Sequence, residues 1–164
     1  MRMPSLQRRA VKGFSLLELL ASAVILGLLA TVAVPFVETA VRREKEHDLR
    51  VALRSLRQAI DAYKEASASG RIPLGEGQSG YPPELTALTE GVTDLAHPGG
   101  PPLYFLRRIP RDPFSPDSTI AAIDTWRKRS FASDAEHPKE GDDVFDVYSG
   151  STQMGLNGVR YNEW

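Results

Sequence analysis

The chain has 164 residues, 41% hydrophobic and 25% charged, which leaves room for one modest globular domain beside an apolar N-terminal run and excludes a large multidomain machine. A net charge of -1 provides no basic field suited to nucleic acid, and the absence of cysteine removes disulfide frameworks, thiolate zinc sites and cysteine nucleophiles. That charge is unevenly spread, because residues 1–13 carry Arg2, Arg8, Arg9 and Lys12 with no acid and the remainder is therefore acidic.

After this basic leader comes "GFSLLELLASAVILGLLATVAVPF", residues 13–36. The apolar segment 14–37 is long enough to cross a bilayer as a helix rising about 1.5 Å per residue. A removable secretory signal would place small residues and a cleavage site after the apolar core, whereas here Ala33, Val34, Pro35 and Phe36 run into a further helical pattern. Retention as a single membrane span is therefore expected. The leader favours a cytoplasmic N-terminus, although Arg42, Arg43 and Lys45 flank the far end. Glu18 is the anomaly, since an acid at the centre of a lipid-exposed helix costs about 2.5–3.5 kcal/mol on insertion scales. Lying near one end, it can reach headgroup water, or it can answer a cation. Cutting the chain between Gly13 and Phe14 would create one, an α-amino group four residues before Glu18.

The stretch "KGFSLLELL" resembles the class III signal of type IV pilins and pseudopilins. It has a short basic leader, Gly13 before the cut, Phe14 after it, and Glu18 fifth from the cut; Pro35 falls where that family has a helix-bending proline. The resemblance implies cleavage after Gly13 by a prepilin peptidase, N-methylation of Phe14, and pairing of Glu18 with the N-terminal amine of an adjacent subunit.

Beyond Pro35, Leu49, Ala52, Leu53, Leu56, Ile60 and Tyr63 recur at three and four, which predicts an amphipathic helix over 38–66 that continues the apolar one. Pro35 removes one backbone donor and predicts a bend there. If continuous, the helix from Phe14 is roughly 80 Å long by its rise. Arg50, Arg54, Arg57 and Lys64 occupy another face, which reads as solvated.

Residues 67–80 read as a loop. They contain Gly75-Glu76-Gly77-Gln78-Ser79-Gly80, a formal match to the dinucleotide pattern GxGxxG, but Tyr81-Pro82-Pro83 follows where a helix should open, so that reading is rejected. A short helix is predicted over 82–90, with proline in its first turn and Gly91 just past its end. Residues 91–102 are irregular by composition. Next comes "YFLRRIPRDPF", in which Pro110 and Pro113 forbid a central strand. That segment resembles a proline-punctuated stretch of the type II secretion major pseudopilins. Strands are predicted over 126–132 and 144–149, and Asn157-Gly158 predicts a turn in a terminal hairpin or a docked aromatic end. The expected fold class is α+β: a long N-terminal helix, its first half transmembrane, packed on a small C-terminal antiparallel sheet within a globular region 67–164.

Between the two strands lies "SFASDAEHPKEGDDVFD", where Asp134, Asp142 and Asp143 share a loop with Gly141. Calcium takes six to eight oxygens from carboxylates and carbonyls of such irregular segments, although acidic turns are also commonly only solvated. The resemblance to the major pseudopilins implies a calcium loop over 131–146, held by Asp134, Asp142 and Asp143 with the carbonyl of Phe131, and with Glu140 and Asp146 as neighbours. Ser133 and Ala135 flank Asp134 where that family has Pro and Gly. In a chain without cysteine, such a cation would staple the loop. His47, His97 and His137 stand in no recognised catalytic spacing, and neither HExxH nor GxSxG occurs, so no enzyme is expected.

The resemblance implies a pseudopilus subunit of a type II secretion system. It would be held in a bacterial inner membrane with its C-terminal domain in the periplasm, and polymerised into a homo-oligomeric helical filament. Its partners would be the prepilin peptidase, minor pseudopilins and an inner-membrane assembly platform. Two alternatives stay open: a type IV pilin or minor pseudopilin, and an uncleaved single-span anchor carrying a binding or hydrolase domain.

Overall fold

A computed structural model describes the backbone of residues 13–164 and the side chains of all of these but 32–35. The basic leader up to Lys12 lies outside the described residues, as does the side chain of Pro35. The chain divides into two units, one ending at Val41 and one formed by Arg42–Trp164.

Helix α1 spans Leu16–Ala68, 53 residues, with Pro35 inside helical backbone. Its start is fixed locally. Ser15 stands just before the first helical residue and its Oγ accepts the N–H of Glu18 at 3.3 Å, satisfying a donor that a helix N-terminus leaves unpaired. Its apolar first half, with Leu16, Leu17, Leu20, Val24, Ile25 and Leu28 exposed, is long and apolar enough to cross a membrane.

In the second unit, the periodic positions of α1 become a core. Leu49, Ala52, Leu53, Leu56, Ile60 and Tyr63 are all buried, together with Leu85, Leu88, Trp126, Val144, Val147 and Tyr161. Leu56 is fully buried, and burying such a side chain contributes about 1.5–3 kcal/mol. The sheet facing this stripe has two strands, β1 (Trp126–Arg129) and β2 (Asp146–Ser149), antiparallel with Trp126 opposite Ser149 and Arg129 opposite Asp146. An isolated two-stranded ribbon is marginal in water, so these strands depend on the helix beneath them.

Both strands are shorter than the sequence predicts because their outer residues bond elsewhere. The N–H of Ser130 donates to Lys139 O at 2.9 Å and that of Val144 donates to Pro82 O at 2.8 Å. The second bond also explains why α2 covers only Ala87–Glu90 and not 82–90. The carbonyl of buried Pro82, which would serve Thr86 in a helix, serves β2's leading segment instead. Gly91 does terminate α2, at φ 85°, and a Cβ there would stand 2.9 Å from the Tyr104 ring.

The proline-punctuated segment forms a corner against the sheet. Asp112, 1% exposed, accepts from Ser149 Oγ at 2.6 Å and from the Phe114 N–H at 2.8 Å, while the Trp126 indole donates to Pro110 O at 2.7 Å. At the end of the chain, Gly158 takes φ 78° in a turn closed by an isolated bridge between Met154 and Arg160. A 3-10 turn, Tyr161–Glu163, then docks the buried Tyr161 ring on Phe114 with centroids 3.8 Å apart.

Candidate functional site

Two regions hold the residues singled out from the sequence, and each is built by its local chain. At the N-terminus, Gly13 and Phe14 precede the helix, both exposed, and Glu18 is exposed in its first turn. Ser15 and Glu18 have the S-x-x-E spacing of a capping box, a signal that the sequence carries and that charge reasoning alone passed over. The Glu18 carboxylate therefore also sits where the partial positive charge of the helix end favours an anion. No side chain among the described residues pairs with it.

The second region is the loop between β1 and β2. Asp134, Glu140 and Asp142 line one cleft of about 540 Å³ together with His137 and Ser133. The ligand atoms of Asp134, Glu136 and His137 lie within 4.8 Å of one another, all three residues exposed. Asp143 is arranged differently. Its Oδ1 accepts from Ser130 Oγ and from the Phe131 N–H, each at 2.8 Å, and its Oδ2 accepts from Ser79 Oγ. Burial alone would raise its pKa. The bonds from Ser79, the Phe131 N–H and Ser130, helped by the Lys64 charge, outweigh that and hold it below the ordinary carboxylate value.

The four residues implied as calcium ligands thus divide. Asp134 and Asp142 open on the cleft, whereas Asp143 is bonded to Phe131 through that residue's N–H. Asp146 pairs with Arg57 at 2.8 Å and Arg129 at 3.6 Å, which occupies its oxygens with guanidinium groups. Ser79, inside the rejected glycine-rich pattern, turns out to tie that loop to Asp143, and Lys64 donates to the carbonyl of the same Ser79.

The helix face expected to be solvated is largely engaged. Besides the pair with Asp146, Arg57 donates to the carbonyls of Val147 at 3.2 Å and Trp164 at 3.0 Å, and Arg50 lies over the Trp164 ring at 4.5 Å. These partners come from far along the chain, so helical periodicity could not show them. Glu46 was also missed. It is 4% exposed, yet its carboxylate accepts from the Tyr161 hydroxyl at 3.0 Å and the Leu156 N–H at 2.6 Å. Of the histidines, His97 lies 3.1 Å from Asp94, whose carboxylate also takes the Arg71 guanidinium at 2.6 Å, and His47 is exposed. The Arg71 bond holds the Asp94 carboxyl far below the usual range.

A capped apolar helix with an acid in its first turn, continued into an amphipathic half that carries a small antiparallel sheet, defines an α+β pilin-like fold. Residues 8–34 match the model of the prokaryotic N-terminal methylation motif, which indicates a pilin-like prepilin-peptidase substrate anchored in a membrane by its apolar helix. No curated protein and no solved structure matches the chain.

Proposed function

We propose that this chain is the major pseudopilin of a type II secretion system, an assembly subunit and not a catalyst. In this reading it is cut after Gly13, N-methylated on Phe14, held in the inner membrane with its domain in the periplasm, and polymerised with the help of minor pseudopilins and an assembly platform. The observation that carries the reading is the methylation motif at 8–34, with Glu18 placed one turn from the new amine. Each subunit would bury its exposed apolar helix against others, and the Glu18 carboxylate would meet the Phe14 amine of a neighbour to set the axial step. Methylation keeps that amine charged, so the attraction survives processing.

Mass spectrometry of the mature protein should find N-methylated Phe14 at its start, and an intact Met1 would end the proposal. Glu18→Leu should insert in the membrane yet fail to assemble; normal filaments from this variant would contradict the pairing. Type IV pilins and minor pseudopilins share the motif; deletion in the host separates pilin from pseudopilin, loss of protein export marking a pseudopilin and loss of long surface fibres a pilin.

Calcium belongs to the same proposal. The donor set suits a hard cation, because Asp134 and Asp142 offer carboxylate oxygens on one cleft and Asp143 keeps lone pairs beyond its three bonds. Bound there, the ion would offset the charge of Asp134, Asp142 and Asp143 and cross-link the loop's two arms. Chelation should lower the melting temperature of the full chain in detergent, and Asp142→Ala should abolish that difference.

A further inference from the structure

The second half of α1 carries a shallow groove of about 470 Å³ lined by Arg50, Arg54, Arg57, Gln58, Asp61 and Trp164. Arg57 is held by Asp146, and Arg50 is tied loosely to Glu46 at 3.5 Å with its side chain 53% exposed. Arg54 is exposed, and no acid among the described residues pairs with it. The groove is therefore a cationic surface whose central charge is unanswered, with Asp61 as its own carboxylate and the Trp164 ring as an aromatic wall.

On a different surface of the same unit, the loop between β1 and β2 carries an excess of the opposite sign. Asp134, Glu136, Glu140 and Asp142 are all exposed, against Lys139 within the loop and Lys128 lying 3.7 Å from Glu140. Glu136 and Glu140 stand outside the Asp134, Asp142 and Asp143 set proposed for calcium, so their charges remain with the ion bound. The groove and the loop share no residue. A surface on one copy that complements a different surface on the next makes a heterologous contact, the kind that propagates a helical filament when it does not close into a ring.

We propose that the acidic loop of one copy, through Glu136 and Glu140, docks in the Arg50–Arg54–Arg57 groove of a second copy of this chain. This contact rests on the assembly reading above. Exposed ion pairs are weak singly and screened by salt. They count here because apolar helices gathered in one membrane would hold the two surfaces at high effective concentration, so a weak contact repeated at every step fixes the rotation between neighbours.

The test uses the full-length chain in its host, where the peptidase, minor pseudopilins and assembly platform of the proposed system are present, reading the sedimentable filament fraction. Arg54→Glu and Glu136→Arg replace exposed residues and leave the fold intact. Each alone should lower that fraction by about tenfold at low salt, and the double reversal should restore it to within about twofold of the native chain. Native-level assembly by Arg54→Glu, or a double reversal no better than the singles, overturns the contact. Glu18→Leu, run in parallel, separates the two failures. If it abolishes filaments while Arg54→Glu does not, the docking surface is wrong and the assembly reading stands; if neither variant affects them, the docking surface and the Glu18 pairing are both wrong, and no filaments from the native chain would overturn the assembly reading itself.

Discussion

Replacing Asp143 with alanine removes the acceptor for three donors drawn from two parts of the chain: Ser79 Oγ, and Ser130 Oγ with the adjacent Phe131 N–H. A hydrogen bond to a charged acceptor contributes about 1.5 kcal/mol at the lower end of its range. The site is only half-buried, so water re-solvates the freed donors and returns roughly half of this, leaving about 2 kcal/mol for the three together. For a domain of this size that lowers the melting temperature by roughly 6–10 °C. The assay is a thermal melt of the full chain in detergent with chelator present, so that no bound cation contributes. Asp142→Ala is the control, since Asp142 is exposed and its loss should cost less than about 0.5 kcal/mol without metal. The sign with pH follows from the depressed pKa of Asp143. Its stabilisation is complete above the ordinary value near 3.8 and is lost as pH falls through the lower folded one, so the native chain should lose stability in acid that Asp143→Ala has already lost. Equal melting points for the two variants in chelator would refute the network.

Glu46→Ala leaves the buried Tyr161 hydroxyl and the Leu156 N–H without their acceptor and should cost about 2–4 kcal/mol, measured by denaturant unfolding. Glu46→Gln keeps an acceptor oxygen and should lose less than half as much; equal losses would show that the carboxylate's charge and not its bonds matters. Asp94 is likewise held below its ordinary pKa, chiefly by Arg71, so that pair stabilises the chain above the ordinary carboxylate range and stops doing so as pH falls through the lowered value. Arg71→Ala should therefore flatten the acid limb of a stability-against-pH curve, and an unchanged limb would exclude the pair as its cause.

The helix was the most legible part of the sequence, because a stripe from Leu49 to Tyr63 at three-and-four spacing has only one face to bury. Strand identity was legible from Val147 and its neighbours, but strand length was not. Where Ser130 and Val144 leave the ladder is decided by Lys139 and Pro82, partners that no local propensity encodes. The same limit applied to the short helix, whose first turn was lost when Pro82 lent its carbonyl to Val144. At the N-terminus, the spacing of Gly13, Phe14 and Glu18 was readable residue by residue, and Ser15 could have been read with them. In the acidic loop, sequence treated Asp134, Asp142 and Asp143 as alike. Only the fold shows that Asp143 is engaged by Ser79, 64 positions earlier, while the other two face a cleft.

The bond from the Tyr161 hydroxyl to Glu46 spans 115 positions, and it has a consequence in time. At about 5–20 residues per second, ribosomes need roughly 6–25 s to supply Tyr161 after Glu46 has been made. Throughout that interval the carboxylate and the neighbouring helix face stay hydrated, because the ring that covers them does not yet exist. The N-terminal helix is synthesised first and can reach a bilayer early, whereas the domain it carries closes last. Until then Leu49 and Leu53 stand uncovered, so the core of the second unit closes only after Tyr161 has been made.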